Sequence, residues 1–151
     1  MVNSVLRFYD GGYELTKSGE IHKLSPFGFE TLIGEAIKTN EPEKIDSRVN
    51  SAILKYSHYG SSIEERKEAI LKLAGVLEYL KERIKNNGEY FADKDDDALF
   101  NIINNFDIRH HKQMQQDQYN KDAWYDWMFY TFLASIYTLL KLNDKQFDLK
   151  I

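Results

Sequence analysis

The sequence predicts an all-α fold: a bundle of four or five helices preceded by a small N-terminal β-hairpin. Three observations lead to this prediction. Beyond residue 40, most apolar residues recur at the 3.6-residue spacing of amphipathic helices. Only two prolines and eight glycines interrupt the 151 residues. Residues 5–24 do not follow this helical spacing: two glycine-containing turn signals there separate short alternating runs typical of strands.

Composition excludes several classes of site. The chain has no cysteine, which excludes disulfides, thiolate metal sites and cysteine nucleophiles. The N-terminus lacks the apolar run of a signal peptide, and no stretch has the roughly 20 apolar residues that span a bilayer. We therefore expect a cytoplasmic protein without a membrane partner. The net charge of −4 argues against a broad electrostatic grip on nucleic acid and leaves room for a local basic cleft.

The chain is expected to divide into a hairpin appendage over 1–25 and a helical bundle over 26–151. The hairpin turns are predicted at 11–12 and 18–19, where glycines occur. Because an isolated hairpin is marginal in water, it should pack against the helices; it could also be the stub of a neighbouring domain or a handle for a partner. The residues expected to pair across the second turn are Tyr13 and Leu15 with Ile21 and His22.

Two helices are predicted next. The first covers 26–37, with a proline in its first turn, where the missing N–H is not needed. The second begins near residue 40 and ends at Gly60. The residues expected to face inward are Phe29, Leu32, Ile33 and Ile37 in the first helix, and Ile45, Val49, Ala52, Ile53 and Tyr56 in the second.

The longest helix should begin after Ser62. Ser62 is followed three residues later by Glu65, which is the pattern of a capping box. The helix should continue to about Lys85, because Asn86, Asn87 and Gly88 form a stop signal. Its buried stripe is expected to consist of Ile70, Leu73, Ala74, Leu77, Leu80 and Ile84.

An acidic run at 93–97 has two interpretations. Carboxylate-rich loops supply oxygen ligands for divalent metals, although the spacing is not that of an EF-hand. Carboxylates also favour the N-terminus of a helix, where they complement its dipole. A helix pattern follows at once, so we favour the second interpretation and predict no metal site and no cofactor.

The last helix is predicted from Ala123 to about Leu142, with Asp122 as its cap. Apolar residues cover nearly its whole circumference, which indicates a helix buried on more than one side, either central or at a subunit interface. The tail over 143–151 is expected to be frayed. The residues expected to face inward are Trp124, Trp127, Met128, Phe132, Ser135, Ile136, Leu139 and Leu140.

Polar groups are most concentrated in the stretch 99–115, LFNIINNFDIRHHKQMQ, which begins as an apolar helix pattern. An arginine can hold a phosphate bidentately and stabilise the charge of a transition state, and a histidine can move a proton near neutral pH. This chemistry cleaves RNA without a metal. The candidate residues are the catalytic set Arg109, His110 and His111, and the substrate-binding set Asn104, Asn105 and Lys112.

The segment NNFDIRHHK, followed by the aromatic-rich helix WYDWMFYTFLASIYTLL, resembles the HEPN superfamily over about residues 43–142. The resemblance is to bacterial HEPN-like proteins of phage defence and toxin–antitoxin systems. It implies a homodimer in which two copies of an arginine–histidine motif face one cleft. Many members of this superfamily are metal-independent ribonucleases, whereas others are inactive scaffolds or ligand binders.

The sequence departs from the family motif after Arg109. The motif places its histidine several residues further on, where this chain has Met114, Gln115 and Gln116. Two functions therefore remain open. One is an endoribonuclease or RNA- or nucleotide-binding protein that uses His110 or His111 instead. The other is a non-catalytic, dimeric interaction or sensor module of a conflict system, with a protein partner, in which the asparagine, arginine and histidine cluster is structural.

Overall fold

A computed structural model describes residues 1–9, 12–26, 28–34, 37–85, 98, 101 and 120–150. In these residues the chain is a helical bundle with a small two-stranded antiparallel hairpin near its N-terminus, as the sequence predicts. None of the helices in this part of the chain has the length and apolar content needed to cross a membrane. The division into units at residues 25 and 26 stays a prediction.

The hairpin consists of strands β1 (Tyr13–Leu15) and β2 (Ile21–Lys23). Leu15 pairs with Ile21 as predicted, but Tyr13 pairs with Lys23 and not with His22. A short helix, α1 (Val2–Leu6), precedes it where the sequence suggested an extended run. The side chain of Asn3 explains this position, because it accepts a hydrogen bond from the backbone N–H of Leu15 and donates one to its carbonyl.

The predicted helix over 26–37 begins later in the structure, where α2 covers Glu30–Gly34. Residues 27, 35 and 36 of the prediction lie outside the described residues. Ile37 is buried as expected, whereas Phe29 is 37% exposed, which corrects its predicted inward position. The next predicted helix is confirmed in two parts: a π-helical turn over Pro42–Asp46 leads directly into α3 (Ser47–Ser57). All five of its predicted inward residues are buried.

Helix α4 (Ile63–Ile84) begins with the predicted capping box. The Glu65 backbone N–H donates to Ser62 Oγ over 3.1 Å, and the Ser62 N–H donates to Glu65 Oε2 over 2.8 Å. All six predicted stripe residues are buried. Helix α4 packs against both α3 and the last long helix, which makes it the central element of the described core.

The last long helix, α5, covers Lys121–Leu142. Its cap is Asn120, whose side-chain oxygen accepts from the Ala123 N–H over 3.2 Å, so the prediction of Asp122 as the cap is wrong. Asp122 instead pairs with Arg66 of α4. The cap lies two residues earlier than predicted because the Asp122 carboxylate, in the first turn of α5, pairs with the guanidinium of Arg66 instead.

The prediction that Trp124 and Trp127 face the core is also wrong, because they are 39% and 44% exposed. A longer row of tyrosine and phenylalanine side chains of α5 faces the core in their place. Predicted Ser135 is only half-buried. The buried residues of α5 are Tyr125, Met128, Phe129, Tyr130, Phe132, Leu133, Ile136, Leu139 and Leu140.

The tail is ordered, which corrects the prediction of a frayed end. It forms a short helix, α6 (Asp144–Phe147), and Phe147 is fully buried in the core. The Asn40 N–H donates to the Phe147 carbonyl over 2.9 Å, and the Lys150 N–H donates to the Lys38 carbonyl over 3.0 Å. An anchoring aromatic side chain and two long-range backbone bonds therefore attach the tail to the segment before α3.

Candidate functional site

The residues that the sequence proposes as a catalytic and substrate-binding site lie outside the described residues, so their arrangement stays a prediction. The described residues bring together a different set of polar and aromatic groups, on the hairpin and on α3, α4 and α5. The six residues of the sequence-based site are Asn104, Asn105, Arg109, His110, His111 and Lys112.

A polar network joins α3, α4 and α5 at one end of the bundle. The Tyr56 hydroxyl donates to Asp126 Oδ1 over 2.7 Å. Arg66 Nη2 donates to the same hydroxyl over 3.0 Å and to Asp126 Oδ1 over 3.1 Å. Arg66 Nη1 meets Asp122 Oδ1 at 2.6 Å, so this cation is neutralised by two carboxylates. The network fixes the mutual position of the three helices.

The rings around this network are tightly packed. The Tyr56 ring stacks on Phe129 with centroids 3.9 Å apart, and the Arg66 guanidinium lies 5.0 Å from the Tyr56 ring centroid. Burial, together with the hydrogen bond to Asp126, raises the pKa of Tyr56 well above its usual range. Tyr56 is therefore a neutral hydrogen-bonding group at any physiological pH and not a proton-transfer group.

A cleft of about 320 Å³ opens beside the network, between the hairpin and the bundle. We call it the hairpin cleft. Three parts of the chain contribute to its lining, which explains why no single sequence motif marks it. Its principal lining side chains are Tyr13 and Lys23 from the hairpin, His58 and Tyr59 from the α3–α4 loop, and Arg66, Asp126 and Tyr130 from the two long helices.

The hairpin is attached to the loop after α3. The Tyr59 backbone N–H donates to the Ile21 carbonyl over 2.8 Å. His22 Nδ1 lies 3.2 Å from Ser57 Oγ, and His22 and His58 form a single antiparallel bridge. These contacts bring the Tyr59 ring to 5.2 Å from the ring of Tyr13, edge to face. The aromatic wall of the hairpin cleft is thus held by backbone bonds.

Tyr130 is the unusual group of the cleft. It is 8% exposed, and its ring packs on Phe29 at 4.6 Å and on Phe129 at 5.3 Å. Burial and the neighbouring Asp126 carboxylate raise the pKa of Tyr130, so its hydroxyl stays protonated. Within the described chain, however, this hydroxyl makes no hydrogen bond. The hydroxyl is also not one of the buried polar atoms without a partner in the described chain, so it contacts the water of the cleft.

Asp126 offers the complementary group. Its Oδ1 accepts from Tyr56 and Arg66, while its Oδ2 receives no hydrogen bond from any described residue. The side chain is 39% exposed, and it lies four residues before Tyr130, on the same side of α5. Asp126 and Tyr130 therefore both line the cleft from the same side of α5.

A second depression runs along the outer side of α5. It has a volume of about 500 Å³, and it shares Asp126 and Tyr130 with the hairpin cleft. Its other lining residues are mostly apolar or small, and we call it the α5 groove. They are Pro26, Phe29, Trp127, Thr131, Ala134, Ser135 and Thr138.

Sequence reasoning missed both features. It treated Tyr130 as one more apolar position of α5 and did not assign Arg66 to any site. A signal was present in Asp122 and Asp126, two acidic residues four apart on an otherwise apolar helix. Such a pair on one helix face predicts a cationic partner from the neighbouring element.

Comparison with known proteins gives no match: no family model matches the sequence, and no curated protein and no solved structure shows significant similarity to it. Among the residues that the structure describes, no three histidine, aspartate or glutamate side chains cluster as a metal site would require.

Proposed function

We propose that this chain is a non-catalytic interaction module that forms a homodimer through the outer side of α5. The observation that carries the proposal is the α5 groove, with the half-exposed Trp127 on its rim. An exposed indole costs solvation free energy, and tryptophan and tyrosine are enriched at the energetic centres of protein interfaces.

The groove follows one face of the helix over several turns. Trp127, Thr131, Ala134 and Thr138 recur at three- and four-residue spacing, so they form a continuous ridge and furrow. The opposite face of α5 packs on α4. A second helix packed here would therefore contact an apolar strip with a bulky side chain at one end and small side chains at the other.

This asymmetry makes the strip complementary to itself. Trp127 lies in the N-terminal half of α5, and the small residues Ala134 and Thr138 lie in the C-terminal half. A two-fold axis between two antiparallel α5 helices would place each indole against the small residues of the other copy. The 12 residues from 127 to 138 span about 16 Å, which is enough for two such contacts per interface.

The test is sedimentation equilibrium of the wild type and of Ala134→Arg, which fills the furrow with a charged side chain. We expect a concentration-dependent dimer for the wild type and a monomer for the variant. Leu54→Arg is the matched control, because Leu54 is 53% exposed on α3, away from the groove. A wild type that stays monomeric at its highest soluble concentration, or an Ala134→Arg dimer, contradicts the proposal.

The second candidate function is a HEPN-like, metal-independent endoribonuclease or RNA-binding protein of bacterial defence. Its support is the sequence cluster ending in Arg109, His110 and His111. In this proposal Arg109 holds the scissile phosphate, and one histidine takes the proton of the 2′-hydroxyl. Asn105 positions the reacting groups. A homodimer would bring two such clusters together, so the first proposal does not exclude this one.

RNA cleavage in EDTA tests this second function. Wild type should cleave a structured RNA, and Arg109→Ala and His110→Ala should each lose most of the activity. Arg48→Ala, an exposed arginine of α3, is the control for loss of a positive charge. Equal cleavage by all variants rejects the proposed residues. Absence of both cleavage and RNA binding in the wild type rejects the function and leaves the interaction module.

A further inference from the structure

We propose that one end of the α5 groove binds a quaternary ammonium group, such as the trimethylammonium group of choline or of a methylated lysine side chain. This end of the groove, which we call the cation corner, consists of Phe29, Asp126, Trp127 and Tyr130. The inference goes beyond the dimer proposal and does not depend on it. Phe29 and Asp126 lie outside the ridge of α5 residues that would contact a second copy.

Three aromatic side chains contribute to the cation corner. The ring of Phe29 packs on the ring of Tyr130 with centroids 4.6 Å apart and planes inclined by 34°. Trp127 lies three residues before Tyr130, on the neighbouring turn of α5. Because Phe29 is 37% exposed and Trp127 is 44% exposed, ring surface remains in contact with water in the groove. The faces of aromatic rings attract cations, and tryptophan does so most strongly.

Asp126 supplies a negative charge at the same place. Of the described residues that line the groove, it is the only one that carries a charge. Its side chain is 39% exposed, and its Oδ2 accepts no hydrogen bond from the described chain. Arg66 neutralises it only in part, because the same guanidinium also pairs with Asp122. The cation corner is therefore complementary in charge to a positively charged ligand.

The apolar lining decides which kind of cation fits. A primary ammonium group is strongly hydrated and has three donors to satisfy, whereas the groove offers one carboxylate. Methyl groups on the nitrogen replace these donors with apolar surface that aromatic rings can cover, which is how aromatic cages recognise quaternary ammonium ligands. The groove volume of about 500 Å³ is within the range of pockets that hold small organic ligands.

An NMR titration of the isotope-labelled protein with choline is the direct test. Choline should bind saturably and should shift an indole N–H signal of the two tryptophans in the chain. The neutral analogue of choline, 3,3-dimethyl-1-butanol, has carbon in place of the charged nitrogen and should bind about tenfold more weakly. Equal affinities for the two compounds, or no saturable binding of choline and of trimethyl-lysine alike, overturn the proposal.

A second pair of ligands distinguishes the two sources of the group. The N-acetyl amide of trimethyl-lysine is compared with choline and with the same amide of unmodified lysine. Tighter binding of trimethyl-lysine than of choline assigns the corner to a methylated protein partner, and the reverse order assigns it to a small molecule. Unmodified lysine that binds as tightly as trimethyl-lysine overturns the proposal, because charge alone would then explain the binding.

Asp126→Asn and a matched control locate the site. Asparagine keeps an acceptor oxygen for Tyr56 and Arg66 but removes the charge, so the affinity for choline should fall about tenfold. Asp122→Asn removes the other carboxylate that pairs with Arg66, at a position that does not line the groove. This control should bind choline within about twofold of the wild type.

Phe29→Ala tests the corner without changing the network of Arg66. It removes a partly exposed ring and should weaken choline binding about threefold. Unchanged affinity in both Asp126→Asn and Phe29→Ala overturns the assignment to this corner. Trp127 belongs to both proposals and is therefore not used as a test of either one alone.

Sedimentation equilibrium of the same variants separates the two proposals. Asp126→Asn and Phe29→Ala should lose affinity for choline while the dimer stays intact, because neither residue belongs to the ridge that would contact a second copy. A wild type that binds choline but stays monomeric contradicts only the dimer proposal. A dimeric wild type that binds neither choline nor trimethyl-lysine contradicts only the cation corner.

Discussion

The inner and outer faces of α5 carry similar side chains in opposite environments. On the inner face, Met128, Phe132 and Ile136 are fully buried. On the outer face, Trp124 and Trp127 are 39% and 44% exposed. Both faces of α5 therefore carry apolar side chains, yet only the inner face contributes to the core. The comparison indicates that the inner face stabilises the fold, whereas the outer face leaves Trp127 partly in water.

The largest expected effect separates these two faces directly. Phe132→Ala should lower the free energy of unfolding by about 3–5 kcal/mol, because it removes a buried ring and leaves a cavity. Trp127→Ala should change it by less than about 1 kcal/mol in the monomer, since nearly half of the indole is already in water. Urea denaturation followed by circular dichroism measures both values.

The measurement should be repeated over a range of protein concentration. A dimer adds a concentration-dependent contribution to the free energy of unfolding. Trp127→Ala should reduce this contribution, whereas Phe132→Ala should not affect it specifically. A Trp127→Ala loss as large as that of Phe132→Ala at the lowest concentration would show that the outer face belongs to the monomer core, and the distinction between the faces would fail.

A smaller effect applies the same comparison to polar groups. Tyr56→Phe should lower the free energy of unfolding by about 1–2 kcal/mol, because the buried hydroxyl serves both Arg66 and Asp126. Tyr79→Phe should cost less than half of this, since Tyr79 bonds Glu41 where water can replace the lost hydroxyl. Thermal or urea unfolding of the pair measures the difference, and equal losses would contradict it.

The smallest effect concerns a group in full contact with water. Hydrogen bonds from the backbone and side chain of Ser62 lower the pKa of Glu65 below its usual value. A carboxyl whose pKa is lower in the folded state stabilises the fold above its unfolded pKa. This stabilisation is lost as the pH falls from about 4.3 through the lower folded value.

Glu65→Gln measures this contribution. The stability difference between wild type and Glu65→Gln should be constant near neutral pH and should shrink as the pH falls below about 4. Glu64→Gln is the matched control, because it removes a charge in the same turn without removing a partner of the capping box. A difference that does not change with pH would mean that the box does not depend on the charge of Glu65.

Local features of the fold could be predicted because their determinants are close in sequence. The Ser62 and Glu65 pair predicts the start of α4, and the 3.6-residue spacing predicts the buried stripe of that helix. The cap of α5 could not be predicted in the same way. Asp122 and Asn120 are both acceptable caps, and only the position of Arg66 across the bundle decides between them.

The candidate sites differ in the same respect. The arginine and histidine cluster at 109–111 is contiguous in sequence, so composition alone draws attention to it. The hairpin cleft is assembled from residues as far apart as Tyr13 and Tyr130, and no spacing rule connects them. Whether a tyrosine hydroxyl finds a partner depends on neighbours that only the packed chain defines.

The sequence by itself determined the helical class, the hairpin and the start of the central helix, because helix periodicity, turn residues and capping act over a few residues. Only the tertiary structure decided which side of α5 faces the core, since a helix that is apolar nearly all round has no preferred face of its own. The packing of α4 against α5 sets that rotation. It leaves Trp127 partly exposed on the outer side and Tyr130 beside the cleft.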